Sequence, residues 1–251
     1  MAGSNGTSKY VYGVVRAKRG SKPKGKGIGD KPLRVLVAHG LGALTSDVPH
    51  EELEAGREEL LTHARVLEEA LARGVVLPMR FGVVMPDEET VRADLLEAHR
   101  DVLEAQLDEM SGKAEMNVKA IYDETAMLGE VVAENPDIAR QREALQGKSD
   151  DATYYQRIHL GERIVAALEN KRAVDEQSIV DALSPHAVAV EIGQPMHERM
   201  ALNASFLVEQ DRLSAFDSEL DRIAAGHGSR LRFKATGPLP PHSFVELGLE
   251  G

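Results

Sequence analysis

Between residues 113 and 120 polar and apolar residues alternate at every step. Ala114, Met116, Val118, Ala120 and Tyr122 alternate with Lys113, Glu115, Asn117 and Lys119. A period of two is the mark of a strand with one wet and one dry face. Elsewhere the period is different. Leu60, Ala64, Leu67 and Leu71 recur at helical spacing, which lays one apolar stripe along a helix. A chain that carries both patterns in alternating blocks folds as α+β layers around shared cores.

The remaining blocks can be placed against these two. Tyr10-Val11-Tyr12-Gly13-Val14-Val15 reads as a first strand. Residues 18–31 are Lys, Gly and Pro with almost nothing apolar, which predicts a mobile basic loop. Two strands follow over 33–39 and 41–48, and Gly40 and Gly42 between them suit a hairpin. A helix over 51–73 stops at Gly74. Residues 75–85 read as a strand interrupted by Pro78, which places that strand at an edge, a bulge or a strand start, because proline cannot donate to a ladder. Asp87 caps a further helix whose buried face is expected at Val91, Leu95, Ala98, Val102 and Ala105. Beyond the strand at 113–122 come helices over 124–134, 137–146 and 151–183. The last is expected to break or bend at the polar run 171–176. Strands over 186–192 and 200–208, a helix over 211–225, a strand over 231–235 and a Gly/Pro-rich apolar tail from 237 complete the chain.

From Lys113 onward the order is β, helices, β, β, α, β, the split βαβ or ferredoxin-like order. The first half is a modified version of that α/β sandwich. The expected organisation is an N-terminal domain over 1–111 carrying the basic loop 18–31. A C-terminal ferredoxin-like domain over 112–251 follows, with a helical insertion and a Pro-rich tail.

Charge and composition narrow the function. Asp plus Glu number 41 against 30 Lys plus Arg, a net charge of −11. An acidic surface repels phosphate backbones. Aromatic residues are only 4% of the chain, too few for the stacking platforms of single-strand binders. Nucleic acid is therefore not an expected partner, and the basic loop is the one place that argues otherwise. The chain has no cysteine, which removes disulfides, thiol nucleophiles and thiolate metal sites. The start of the chain carries no apolar signal segment, and no apolar run has the roughly 20 residues of a membrane helix. A cytoplasmic protein with no membrane partner is expected.

No chemical motif survives inspection. Gly20-Ser21-Lys22-Pro23-Lys24-Gly25-Lys26-Gly27 nearly matches a phosphate loop, but Gly27 stands where Ser or Thr must hold magnesium, and no helix follows. His197-Glu198 begins a metalloprotease pattern that Ala201 fails to complete. His63 and His99 lie inside helices and read as packing or surface residues. Carboxylate pairs such as Glu58/Glu59 and Glu68/Glu69 lie among arginines, as on a solvated helix face. No catalytic, cofactor-binding or metal-binding residue is assigned, and no cofactor is expected.

Two stretches are unusual. One is Val76-Leu77-Pro78-Met79-Arg80-Phe81-Gly82, a strand-like run holding a proline and an arginine. The other is the stiff apolar segment Thr236-Gly237-Pro238-Leu239-Pro240-Pro241-His242-Ser243-Phe244-Val245. With Tyr10-Val11-Tyr12-Gly13-Val14, His63-Ala64-Arg65-Val66-Leu67-Glu68, Gly112-Lys113-Ala114-Glu115-Met116-Asn117-Val118-Lys119 and Leu202-Asn203-Ala204-Ser205-Phe206-Leu207-Val208, they follow an order that resembles the gas vesicle protein F/L family along nearly the whole chain. Met116 replaces a frequent tryptophan of that family, and the basic loop looks like an insertion.

The resemblance implies two α+β domains, the second ferredoxin-like, and no catalytic residues. It implies a non-enzymatic accessory protein of gas vesicles, active in assembly or retained as a minor structural component. Its partners would be the major gas vesicle shell protein, which is hydrophobic, and other accessory proteins. The candidate contact residues are Pro78, Arg80, Phe81, Pro238, Pro240, Pro241 and Phe244. The competing expectation is a small-molecule-binding regulatory protein or enzyme on ferredoxin-like domains.

Overall fold

The computed structural model describes residues 7–21, 23–49 and 56–246. The fold is α+β, with two sheets. The chain separates into two compact units. One runs through Glu115 and adds Glu209–Asp211 and the segment from Gly237; the other is Met116–Val208 with Arg212–Thr236.

In the first unit, strands β1 (Ser8–Arg16), β2 (Arg34–Ala38), β3 (Leu41–Val48) and β4 (Val76–Pro78) stand in the order β2-β3-β1-β4, and the short β5 (Val84–Met85) pairs with β1. The β2–β3 hairpin turns at His39 and Gly40, whose φ angles of 49° and 85° are both left-handed. That is the backbone that matches the twist of the flanking strands. Pro78 lies on the edge strand β4, opposite Gly13, where its missing N–H costs no ladder bond.

Helix α1 (Arg57–Leu71) buries His63, Val66, Leu67 and Leu71 against β1 and β4, while Leu60 is exposed. The apolar stripe thus lies off the expected Leu60–Ala64 line. The expected helix start at residue 51 falls outside the described residues. Asp87 caps α2 (Glu88–Thr90) by accepting from the Thr90 N–H at 2.8 Å. The helix then runs through a π turn, Val91–Glu97, before α3 (Arg100–Glu109). The bond from the Ala98 N–H to the Ala93 carbonyl spans five residues rather than four. One extra residue in the turn rotates everything after it by about 100°. The buried set therefore becomes Val91, Leu95, Leu96, Leu103 and Leu107, and Val102 faces water. These leucines lie outside the cluster around α1, so the sheet carries apolar cover on both faces.

The core under α1 is knit by a chain of hydrogen bonds. The Gly82 N–H donates to the Tyr10 hydroxyl at 3.1 Å, which lies 2.8 Å from His63 Nδ1. His63 Nε2 lies 3.2 Å from the Met79 carbonyl, which can only accept. That fixes the tautomer: Nε2–H donates to Met79, and Nδ1 accepts from Tyr10. Phe81 meets both the His63 ring and the Tyr10 ring edge-on, with centroids 5.7 and 5.8 Å apart. Burial holds His63 neutral and lowers its pKa to about 4, with His242 as a lesser, like-charge contribution. Burial likewise pushes the Tyr10 hydroxyl up to about 12.

The loop 18–31 is pinned, contrary to the expectation of a mobile segment. Ile28 is buried in a short 3-10 turn, and its N–H donates to the Tyr12 hydroxyl at 2.7 Å. Arg65 from α1 donates to the Lys26 carbonyl at 2.5 Å. A Cβ on Gly27 would lie 2.3 Å from the Tyr12 oxygen and 2.7 Å from Ser46 Oγ, so only glycine passes beneath these two hydroxyls.

In the second unit, β6 (Lys113–Tyr122), β7 (Ala189–Ile192), β8 (Met200–Glu209) and β9 (Leu231–Leu239) stand in the order β7-β8-β6-β9. The helices are α4 (Glu124–Glu134), α5 (Pro136–Leu145), α6 (Asp150–Leu183) and α7 (Leu213–His227). The alternating residues of β6 are all buried. Met116, Val118, Ala120 and Tyr122 meet Ile179 and Leu183 of α6 and Phe216, Leu220 and Ile223 of α7 in one core, while Ala114 belongs to the core around α1. Counted within its unit, each sheet has the order second, third, first, fourth. The units differ in what joins the first strand to the second: the pinned basic loop in one, three helices in the other. The last strand is longer than expected, and Gly237, Pro238 and Leu239 belong to it rather than to a tail.

Helix α6 does not break at 171–176. Its polar run is consumed by a cluster of charges. Asp175 is buried and accepts from the Tyr122 hydroxyl at 2.5 Å and from Arg230. Arg230 also reaches Glu130 at 2.7 Å, and Lys171 reaches Glu130 at 2.9 Å and Glu134 at 2.8 Å. Burial and the neighbouring Asp175 carboxylate both push the Tyr122 hydroxyl up. Burial disfavours charge on Glu130, but the bonds from Arg230 and Lys171 outweigh it and hold the carboxyl below its usual range.

These two networks predict distinct behaviour. The pKa of His63 in the fold, about 4, lies below its ordinary 6.5. Between those values the unfolded chain takes a proton that the fold refuses. Stability is fully present above pH 6.5 and falls as pH drops through the window, by about 3 kcal/mol in all from this group. His63→Gln, which offers one acceptor and one donor, is expected to flatten that part of the unfolding free energy measured in urea between pH 6.5 and 4.5. Asp175→Ala strands Arg230 and the Tyr122 hydroxyl in a poorly hydrated place and should cost about 3 kcal/mol. Asp137→Ala, which removes the exposed partner of Arg140, should leave the same urea curve almost unmoved.

Candidate protein-binding surfaces

The first unit holds all seven residues singled out from sequence, and it divides them. Pro78, Pro240 and Pro241 are buried, Phe81 and Phe244 are half-buried, and Arg80 and Pro238 are exposed. The segment from Gly237 is tied down within this unit. The Ser243 N–H and hydroxyl donate to the two oxygens of Glu115 at 2.8 and 2.9 Å, and Gln106 donates to the Glu246 carbonyl at 2.5 Å. His242 is close enough for its charge to oppose one on His63, and burial lowers the pKa of His242 itself. The two unusual stretches therefore meet around one buried imidazole. The buried prolines of this set hold the unit together, and only Arg80, Pro238 and the open sides of Phe81 and Phe244 offer surface.

The second unit carries a surface that no run of sequence announced. A cleft of about 860 Å³ opens between α4, α6 and the β7–β8 connection. Its apolar lining is Met127 and Leu128 from α4, Val165 and Leu168 from α6, and Met196 from the connection. Leu128, Val165 and Met196 are 38%, 54% and 70% exposed. Exposure of that order at three converging apolar side chains is unusual for a cleft wall that faces only water. The connection that supplies Met196 is held in place. Asn203 donates to the Gln194 carbonyl at 3.1 Å, and Arg172 donates to the Glu198 carbonyl at 2.6 Å. Arg172 Nε is buried with no hydrogen-bond partner among the described residues. Methionine is flexible and polarisable, so Met127 and Met196 make a wall that adapts to apolar side chains of differing shape.

Sequence reading missed this cleft because its residues come from three separated elements and none forms a motif. The one local trace is the set Ile158, Ile164, Val165 and Leu168 standing among the charges of α6. Charged and polar side chains share the lining, namely Glu124, Glu169, Arg172, His197, Glu198 and Arg199. Among the described residues no three His, Asp or Glu side chains gather as metal ligands do. Nor is any helix among them long and apolar enough to cross a membrane.

Comparison with known proteins places the chain in a family. The family described as gas vesicle synthesis protein GvpL/GvpF matches residues 8–246. The chain is 44% identical to gas vesicle protein F of Streptomyces sp. (strain CB03234) over 95% of this chain and 100% of that one. It is 31% identical to gas vesicle protein F of Dolichospermum flosaquae, over 95% and 97%. The crystal structure of the gas vesicle protein GvpF from Anabaena sp. PCC7120 superposes with a TM-score of 0.84 at 28% identity, covering 96% of this chain and 98% of that one. A match that spans the strands, the helices and the tail together is a match of the whole fold, and the chain belongs to the GvpL/GvpF family of gas vesicle proteins.

Proposed function

We propose that this protein is a non-enzymatic assembly factor that binds the hydrophobic shell protein of the gas vesicle, together with other accessory proteins, in the cytoplasm. The observation that carries the proposal is the exposed apolar cleft of the second unit. A shell that holds gas must turn an apolar face inward, so its unassembled subunit is prone to aggregate. A binder that lends such a subunit an apolar wall, and is itself acidic enough to stay dispersed, keeps it available for the growing shell. The adaptable methionine wall suits a client held briefly rather than locked in place.

Each unit reads as ferredoxin-like, a reading supported by the shared strand order and by the two helices, α6 and α7, that close the second core. The domain boundary is proposed near Gly112. The exposed Arg80 and Pro238, with Phe81 and Phe244, form the second candidate contact, in the first unit. Pro78, Pro240 and Pro241 serve it by fixing the backbone.

Co-purification of the shell protein with tagged variants tests the assignment. Leu128→Glu combined with Met196→Glu should reduce capture by about tenfold or more without a change in melting temperature, because both side chains are exposed and neither supports the core. Phe81→Ala and Phe244→Ala should lower the melting temperature first, since both rings are partly packed. Full capture by the double Glu variant would move the contact to the first unit, and no capture by the wild type would sink the proposal.

A further inference from the structure

We infer that the basic loop of the first unit and the cleft beneath it form a docking site for an acidic peptide segment that carries one apolar anchor residue. The loop 18–31 holds six Lys and Arg and one Asp, which leaves 24 basic and 40 acidic residues for the rest of the chain. Positive charge is thus concentrated in fourteen residues of a protein that is otherwise strongly acidic. Such segregation marks an interaction surface. The charges are also idle. Lys18, Arg19 and Lys24 are exposed, and none makes an ion pair among the described residues. They are not free to drift, because the loop is tied to Tyr12 through Ile28 and to Arg65 through Lys26. A held set of charges loses little freedom when a partner arrives.

Below the loop lies a cleft of about 360 Å³. Its apolar surface comes from Val15, Val35, Leu44 and Ala70, with Arg16 and Arg73 at the rim and Pro23 of the loop as one wall. The cause is visible in the comparison of the units. In the second unit α6 and α7 together close the core. In the first, α1 is alone on its face, and the place of the missing helix is filled only in part by Ile28 and Leu33. What remains is an apolar notch lined also by Arg16 and Arg73, which pair with Asp108 and Glu69, and bordered by Ser21 and Pro23 of the loop that carries the unpaired cations. An acidic segment matches those cations by charge, and one aliphatic side chain matches the notch by volume. This site is distinct from the apolar cleft of the second unit, so failure of either leaves the other standing.

The test is fluorescence anisotropy with a labelled peptide of Glu and Ser carrying one central Leu, titrated with the full chain. Saturable binding is expected, weakening as salt rises from about 50 to about 500 mM, which shortens the screening length. Combined Lys18→Glu, Arg19→Glu and Lys24→Glu changes should weaken it by about tenfold or more. Ala70→Leu, which fills the notch while keeping a good helix former, should do likewise, and melting curves of both variants should match the wild type. Exchanging Leu for Ser in the peptide should cost a similar factor. If the triple reversal or the Leu-to-Ser peptide binds as tightly as its parent, the proposal fails. It fails equally if a Lys-for-Glu peptide binds, if Ala70→Leu has no effect, or if duplex DNA binds more tightly than the acidic peptide and so claims the loop for nucleic acid.

Discussion

Two hydroxyl groups on β1 hold the first unit together. The strand stands between β3 and the edge strand β4, and two irregular segments lie against its side chains: the turn after the proline of β4, and the loop made of glycine and lysine. Both segments leave backbone N–H groups that no ladder can satisfy, and an unsatisfied buried donor costs about 1–3 kcal/mol. Tyr10 accepts from Gly82 and Tyr12 accepts from Ile28. The two tyrosines are two residues apart and so share a face of the strand, and a register shift between Val11 and Gly13 marks a bulge beside them. The two rings lie with centroids 4.8 Å apart. His63 completes the arrangement by joining Tyr10 to the Met79 carbonyl, so that α1, β1 and the turn after β4 are fixed by one chain of bonds.

The second unit meets the same demand with charge. Helix α6 is long, and its buried end needs only Ile179, Val180 and Leu183 to enter the core. Its middle is too polar to do so. Asp175, Arg230, Glu130 and Lys171 therefore satisfy one another where α4, α6 and the start of β9 converge. Pairing of that kind adds little net stability over an apolar core, but it makes other registers of the helix costly. The same helix also lines the cleft through Val165 and Leu168, the latter packed against the core as well.

How much of this was legible depends on how local the cause was. The strand at β6 and its buried face needed only ten residues and were read correctly, but Glu115 on the face expected to be wet is buried under Ser243. The edge strand is one of the three places that Pro78 allowed, because the missing donor is a property of that residue alone. The cap at Asp87 is equally local. The stripe on α3 was misread because the π turn shifts the face by one residue, and nothing in the sequence from Val91 to Glu97 marks such a turn. The predicted break in α6 failed because polarity was taken as exposure; the partners of Asp175 lie 53 and 55 residues away, at Tyr122 and Arg230. The loop 18–31 misled in the same way. Composition correctly gave its charge, but its fixation comes from Tyr12 and Arg65, which composition cannot weigh. The cleft of the second unit was invisible for the extreme form of this reason, since its walls come together only in the fold.

The two units also show why one strand order can serve unlike surfaces. A sheet of this order needs cover on the face where the first connection crosses. Helices supply it in the second unit, and a cleft opens between α4, α6 and the β7–β8 connection, where Leu128 and Val165 face solvent. A loop supplies it in the first unit and cannot complete the cover, so apolar residues of the sheet itself stay accessible beneath cations. The crossing connection thus determines the chemistry of each surface, whereas the strands determine only that a surface must exist. Lengthening or shortening that connection changes what the protein can hold without disturbing the hydroxyl, imidazole and ion contacts that keep each sheet in register.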